Sequence, residues 1–193
     1  MKHWLERLRD DLEPILLRRD PRPGLSAYHG MPCAVFHYPP EDEFAVRAEV
    51  RALAARLAAR GKAARTISLA DCLAAALQAE APLEELAASE QASDLDAALD
   101  TVNAILADAD RMPLDRLVLE RLADAADPER DIVYIVRCGA LFPFYRPYPL
   151  TDHLMNKVTV PTVLFYPGEP ASPTTLRFMG ELTPDNNYRA KIF

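Results

Sequence analysis

Apolar residues recur along this chain with two periods. Trp4, Leu5, Leu8, Leu12, Ile15 and Leu16 return every three or four positions, so residues 3–18 are predicted as an amphipathic helix, ended by Pro21, Pro23 and Gly24. The run Cys33 to Pro39 reads as a buried strand stopped by Pro39-Pro40. A helix is predicted over Glu41 to Arg60, with acids in its first turn, where they suit the helix dipole, and Gly61 as its stop. A strand follows at Arg65 to Leu69 and a helix at Ala70 to Leu77. Pro82 to Ala126 is rich in Ala and Leu and broken at Met112-Pro113, which predicts two or three helices. Asp131 to Val136 is β-branched on both faces, as a strand inside a parallel sheet requires. Leu150 to Asn156 is predicted as a short helix and Val160 to Tyr166 as a further buried strand.

Beyond Tyr166 the pattern predicts a turn at Pro167-Gly168-Glu169, with Gly168 at a positive-φ position. Then come a short strand at Leu176 to Met179, a polar turn at Thr183 to Asn187 and a last strand at Tyr188 to Phe193. The sequence closes on Ile192-Phe193 with no polar tail, so these residues are expected to pair in a sheet. Strands that alternate with helices imply an α/β fold with a mainly parallel sheet. The closing strands are expected to add an antiparallel edge. The expected organisation is one α/β domain over residues 1–193, with a helix and linker at 1–24 and a helical insertion at 80–126.

Composition narrows the function classes. Half of the 193 residues are hydrophobic, which argues against disorder. No apolar run approaches the roughly 20 residues that span a bilayer. Acids interrupt every apolar run near the start, so no secretory leader is expected. Cys33, Cys72 and Cys138 are isolated and odd in number, which suits neither a disulfide framework nor a zinc site and points to a reduced, cytoplasmic compartment. The net charge of −7 is uneven: residues 66–128 hold 14 Asp+Glu against 3 Arg and no Lys. That stretch would repel a phosphate backbone.

Ligands of open α/β sheets bind beyond the carboxyl ends of the strands, so the loops there are the candidate sites. The loop Tyr38 to Glu43 stands where a phosphate loop would, yet two prolines remove N–H donors and three acids add negative charge. It reads as a helix start rather than as a phosphate or metal site. The loop Arg137 to Arg146 combines Arg137, Phe142, Phe144, Tyr145 and Arg146, residue types favoured at the centres of interfaces, and reads equally as ordinary packing or as a partner-recognition surface. Cys138 in this loop lacks an obvious base and reads as a small core residue. Glu169 reads as structural, as does His37 inside its strand. His3, His29, His37 and His153 form no metal or triad pattern. Neither a catalytic set nor a cofactor motif is legible.

Three C-terminal segments, PTVLFYPGE (Pro161 to Glu169), LRFMG (Leu176 to Gly180) and YRAKIF (Tyr188 to Phe193), resemble the BrxB family of bacterial BREX phage-exclusion systems. DIVYIVRCGALFPFYR (Asp131 to Arg146) and the run at Tyr38 to Arg47 are similar to that family too. Pro167, Gly168, Arg177, Tyr188 and Arg189 are read as structural residues of these motifs. The resemblance implies a cytoplasmic component of an anti-phage operon whose neighbours include an AAA-type ATPase, an adenine-specific DNA methyltransferase and PglZ, a phosphatase-superfamily protein. It brings no catalytic residues, cofactor or metal. It implies a non-enzymatic assembly subunit, with the PglZ-type protein as direct partner. The alternatives are a small enzyme or nucleotide-binding protein with a site around Glu169 and Arg177, and DNA contact through Arg137, Arg146, Arg177, Arg189 and Lys191. Residues 131–193 hold six Lys+Arg against five Asp+Glu, a near-neutral balance that disfavours the DNA alternative.

Overall fold

Alternation of apolar side chains along the strands lets one sheet bury both of its faces. The computed structural model describes residues 2–27, 31–80, 87–88, 91, 95–106, 108, 113–125, 127–155, 157–184 and 188–193. Its elements run α1, β1 (Cys33–Tyr38), α2 (Glu43–Ala58), β2 (Ala63–Ser68), α3 (Leu69–Glu80), α4 (Leu95–Leu106), α5 (Pro113–Leu122), β3 (Asp131–Val136), α6 (Pro147–Met155), β4 (Thr162–Ser172), β5 (Thr175–Phe178) and β6 (Lys191–Ile192). Helix α1 is α-helical at Trp4–Glu6, π-helical at Arg7–Leu12 and α-helical again at Glu13–Leu16. A short helical turn at Arg22–Leu25 and a 3-10 turn at Pro40–Asp42 lead into β1 and α2 respectively.

The strands stand in the order β2-β3-β4-β1-β6, with β5 paired to β4. All pairings are parallel except β4 with β5, which is antiparallel. The fold is therefore α/β with a mainly parallel sheet and an antiparallel addition. The last strand corrects the expected edge in one respect: β6 lies parallel beside β1, with Ala34 opposite Lys191 and Val35 opposite Ile192. The Phe193 N–H donates to the Val35 carbonyl at 2.9 Å, and the His37 N–H donates to Phe193 at 3.2 Å. The expected pairing of the final residues is present.

One apolar cluster holds Ala34, Phe36, Tyr134, Val163 and Phe165 of the sheet against Leu8, Leu12 and Leu16 of α1 and Val46, Val50, Leu53 and Leu57 of α2. The other holds Cys33, Val35, Val133, Ile135, Leu164 and Tyr166 against α3, α5 and α6. From β1 the chain crosses to the β2 edge over the first face and works back to β4 over the second. Opposite directions over opposite faces keep every crossover the same hand, which is the right-handed rule for parallel strands. Ion pairs fasten α1 to α2: Arg56 meets Glu13 at 2.8 Å and Arg9 meets Glu49 at 3.1 Å, and Arg56 and Glu49 of α2 are themselves paired at 3.0 Å.

Among the described residues of 80–126, α4 and α5 carry the chain from β2 to β3. Helix α5 places Leu114, Val118 and Leu122 in the second cluster. Met112, His29, Asn156 and Asp185 to Asn187, which belong to predicted breaks, turns or candidate ligands, lie outside the described residues.

The turn expected at Pro167-Gly168-Glu169 is not there. Strand β4 runs through all three residues, and the chain reverses at Pro173-Thr174 instead. Pro167 is the last residue in register with β1, and Gly168 the first in register with β5. Gly168 has no positive φ; that conformation belongs to Met179 and Gly180. Its missing side chain serves a close approach, because a Cβ there would lie 2.3 Å from the Arg177 carbonyl oxygen. A glycine required by a neighbouring strand and one required by a turn look alike in sequence.

Candidate interaction site at the carboxyl ends of the strands

The carboxyl ends of β1 and β3 flank β4 at Pro167, where its parallel ladder ends and where the connections from β1 and β3 leave for opposite faces, which is where open α/β sheets hold their ligands. A cleft of about 220 Å³ opens there, lined by Pro40, Glu43 and Arg47 after β1, Arg137, Gly139 and Ala140 after β3, Pro167 in β4, and Met179 after β5. Arg137 and Met179 both have left-handed backbone, with φ 59 and 56. For residues other than glycine this conformation is strained and must be held by the surroundings. Arg137 reaches Asp71 of α3 at 3.3 Å. The Tyr38 hydroxyl donates to the Glu43 carboxylate, and burial, then that carboxylate, push the phenol's pKa up. The Arg47 guanidinium lies 5.8 Å from the ring centre of Phe44, which is 79% exposed.

Behind the cleft, Arg7 donates to His37 Nε2 at 2.7 Å and to the His37 carbonyl at 2.8 Å. His37 also hydrogen-bonds the Gly168 backbone. Burial first, and Arg7 second, lower its pKa to about 4. The imidazole is therefore neutral at pH 7 and joins α1 to the ends of β1 and β4.

The loop Arg137 to Arg146 sits beside this cleft. After Arg137 a 3-10 turn, Cys138–Leu141, buries Cys138 and Leu141. Burial also takes Cys33 and Cys72, and it pushes the Cys33 thiol up to about 12, so the cysteines are small core residues. Phe142 turns inward, with its ring 6.1 Å from that of Phe178, edge to face. Tyr145 also packs on the core, and burial, then Asp115, raise its pKa. Arg146 donates to the Thr183 carbonyl and to Thr183 Oγ1, both at 3.0 Å, which clasps the loop to the segment after β5. Phe144 differs: it is half-buried and is not among the described residues of either apolar cluster. Of the five candidates, Phe142 and Tyr145 are thus anchors, Arg146 a clasp, Arg137 a cleft wall and Phe144 a half-buried side chain.

The remaining motif residues are dispersed. Pro167 and Gly168 are buried in β4. Tyr188 is buried between Tyr148 and Tyr166, with ring centres 5.4 and 5.9 Å away. Arg177 and Arg189 are exposed, and Arg177 faces Glu169 across the hairpin as an ordinary cross-strand neighbour. Lys191 donates to the Gly24 carbonyl at 2.9 Å, at the far edge beside β6.

One pairing was invisible in the sequence. Asp115 of α5 is 4% exposed, and its Oδ2 lies 2.5 Å from Nδ1 of His153 in α6. Desolvation raises the Asp115 pKa despite the opposing pull of His153, so burial dominates over the ion pair. The two residues are 38 positions apart on separate helices, and no motif spacing links them. They join α5 to α6.

Comparison with known proteins agrees with this C-terminal half. The family model for BREX protein BrxB matches residues 65–193, which contain the loop, the β4–β5 hairpin and the terminal strand. Tyr38 to Arg47 lies outside the matched span. No curated protein and no solved structure matches the chain. Among the described residues no helix is long and apolar enough to cross a membrane. With more than half of its length matched, the chain belongs to the BrxB family and is a component of a BREX phage-defence system.

Proposed function

We propose that this chain is a non-enzymatic, cytoplasmic assembly subunit of a BREX complex, and that it holds a PglZ-type protein through the loop Phe142 to Arg146. The observation that carries the reading is the division of labour within the loop. Phe142 and Tyr145 are fixed to the core and Arg146 is clasped to Thr183, while Phe144 is left outside both apolar clusters. A loop held in this way loses little entropy on binding, so an aromatic contact made from it is retained as affinity. Aromatic residues and arginine contribute upward of about 2 kcal/mol at interface centres. The AAA-type ATPase and the DNA methyltransferase would then be reached through the assembled complex.

Substitution must respect the anchors. Tyr145→Ala would remove packing from the core and confuse unfolding with lost binding. Phe144→Ala combined with Arg146→Glu leaves both anchors in place. Co-expressed with its BREX neighbours, this double variant should lose the PglZ-type protein on affinity purification and lose phage protection, with an unchanged circular dichroism spectrum. A folded double variant that retains every partner and still protects cells would refute the assignment of this loop.

A further inference from the structure

We infer that the cleft at the carboxyl ends of β1, β3 and β4 is a second protein-contact site, one that takes the carboxylate of an acidic side chain from a partner while an apolar neighbour of that side chain rests on Phe44. The inference rests on the assembly reading only in the occupant being a protein. Phe144 and Arg146, which carry the loop reading, do not line the cleft, although Arg137, Gly139 and Ala140 at the start of the same loop do.

Size selects a small group. The cleft holds about 220 Å³, below the roughly 300–1,000 Å³ typical of pockets for whole cofactors and drug-sized ligands. Charge selects a monoanion. Arg47 and Arg137 supply two positive charges and Glu43 removes one, so the lining carries a net charge of +1. Glu43 is already engaged by the Tyr38 hydroxyl and Arg137 by Asp71 at 3.3 Å, so Arg47 is the charge that meets an incoming acid, with Arg137 reinforcing it from the opposite wall. Backbone chemistry disfavours phosphate, because Pro40 and Pro167 in the lining offer no N–H groups, where phosphate cradles depend on them.

Two further features mark the cleft as a place held ready rather than an incidental gap. Among the described residues, Arg137 and Met179 are the non-glycine residues with left-handed backbone, and both line it. Such a conformation is strained, persists where the surroundings enforce it, and clusters at ligand-holding and switch regions. Phe44 is 79% exposed and lies under the Arg47 guanidinium. An apolar ring beside a cation suits a partner segment in which an acid follows or precedes an apolar residue.

The test has two arms. In the first, the full chain is labelled with 15N and titrated with N-acetyl-glutamate amide, N-acetyl-glutamine amide, inorganic phosphate and ATP, while the Nε–Hε signals of Arg47 and Arg137 are followed. Saturable shifts of both signals with the glutamate probe, and none with the glutamine probe, are expected. No shift with the glutamate probe, or tighter binding of phosphate or ATP, would overturn the inference. In the second arm Phe44→Ala and Arg47→Glu are co-expressed separately with the BREX components. Neither side chain belongs to the core, and each change should lower recovery of a partner roughly tenfold or more, Arg47→Glu by reversing the charge that meets the acid and Phe44→Ala by removing an aromatic contact. If both variants recover every partner while Phe144→Ala with Arg146→Glu does not, the cleft is no contact and the loop reading stands. If the cleft variants lose a partner and the loop variant keeps them all, the loop reading fails and this one stands.

Discussion

Replacing Gly168 with alanine separates two accounts of why a glycine is there. The backbone at Gly168 is extended rather than left-handed, so a turn-based account gives alanine no conformational penalty. Where the backbone permits, Gly→Ala stabilises by about 0.4–1 kcal/mol through the unfolded state. The packing says the opposite. A Cβ would sit 2.3 Å from the Arg177 carbonyl oxygen and 2.7 Å from Tyr166 Cε1. The first contact is roughly 1 Å inside ordinary van der Waals distance. Arg177 O is backbone, in a strand whose Phe178 is in register with Gly168, so it cannot swing away as a side chain could. Overpacking of this kind costs about 3 kcal/mol, the upper part of the usual range. For a chain of this length that corresponds to a fall in Tm of about 6–12 °C. Gly180→Ala is the control, because Gly180 has φ +73 and nothing within 4 Å of its notional Cβ. It carries left-handed strain alone, about 1–2 kcal/mol, and should fall about half as far. Thermal unfolding followed by circular dichroism, with the two variants side by side, gives both numbers. A Gly168→Ala protein that melts at or above the wild type would refute the close-approach account.

Two further outcomes follow from the same geometry. His37 is 6% exposed and its folded pKa of about 4 lies below its ordinary value of 6.5, so the unfolded chain binds more protons between those limits. Its contribution, about 3 kcal/mol, is present above pH 6.5 and lost as pH falls through 4; a His37→Gln variant should flatten the stability-pH slope in that window, and an unchanged slope would show that His37 is not the group responsible. Deleting residues 188–193 removes buried Tyr188, the β6 pairing and the Phe193 ladder bonds, a loss of about 5 kcal/mol from burial and hydrogen bonding together. The truncated chain should melt far lower or aggregate, and an unchanged Tm would mean that this segment carries none of the stability.

The local pattern was sufficient wherever one period dominated a segment. Asp131 to Val136 is a strand with the predicted bounds, because an unbroken β-branched run can be buried on both faces of a parallel sheet. The α1, α2 and α3 helices and the β1 strand fall within a few residues of their predicted spans for the same reason. The terminal pairing was legible as well, although its parallel sense was not. Direction depends on which neighbour a strand finds, and β6 finds β1, more than 150 residues away in sequence.

Proline and glycine misled at 167–168. Both are ordinary turn residues, yet here they mark where β4 passes from a parallel ladder with β1 to an antiparallel one with β5. The aromatic loop was found by composition, but composition could not tell that Phe142 and Tyr145 pack against the core. Asp115 with His153, Arg7 with His37, and the cleft between Arg47 and Arg137 join residues from separate elements. The sequence by itself determined most of the elements, the fold class and the family, because periodicity and motif are local properties of the chain. Only the tertiary structure decided which side chains share a site, because that depends on strand order and crossover direction, and these are set by how two apolar faces are buried at once.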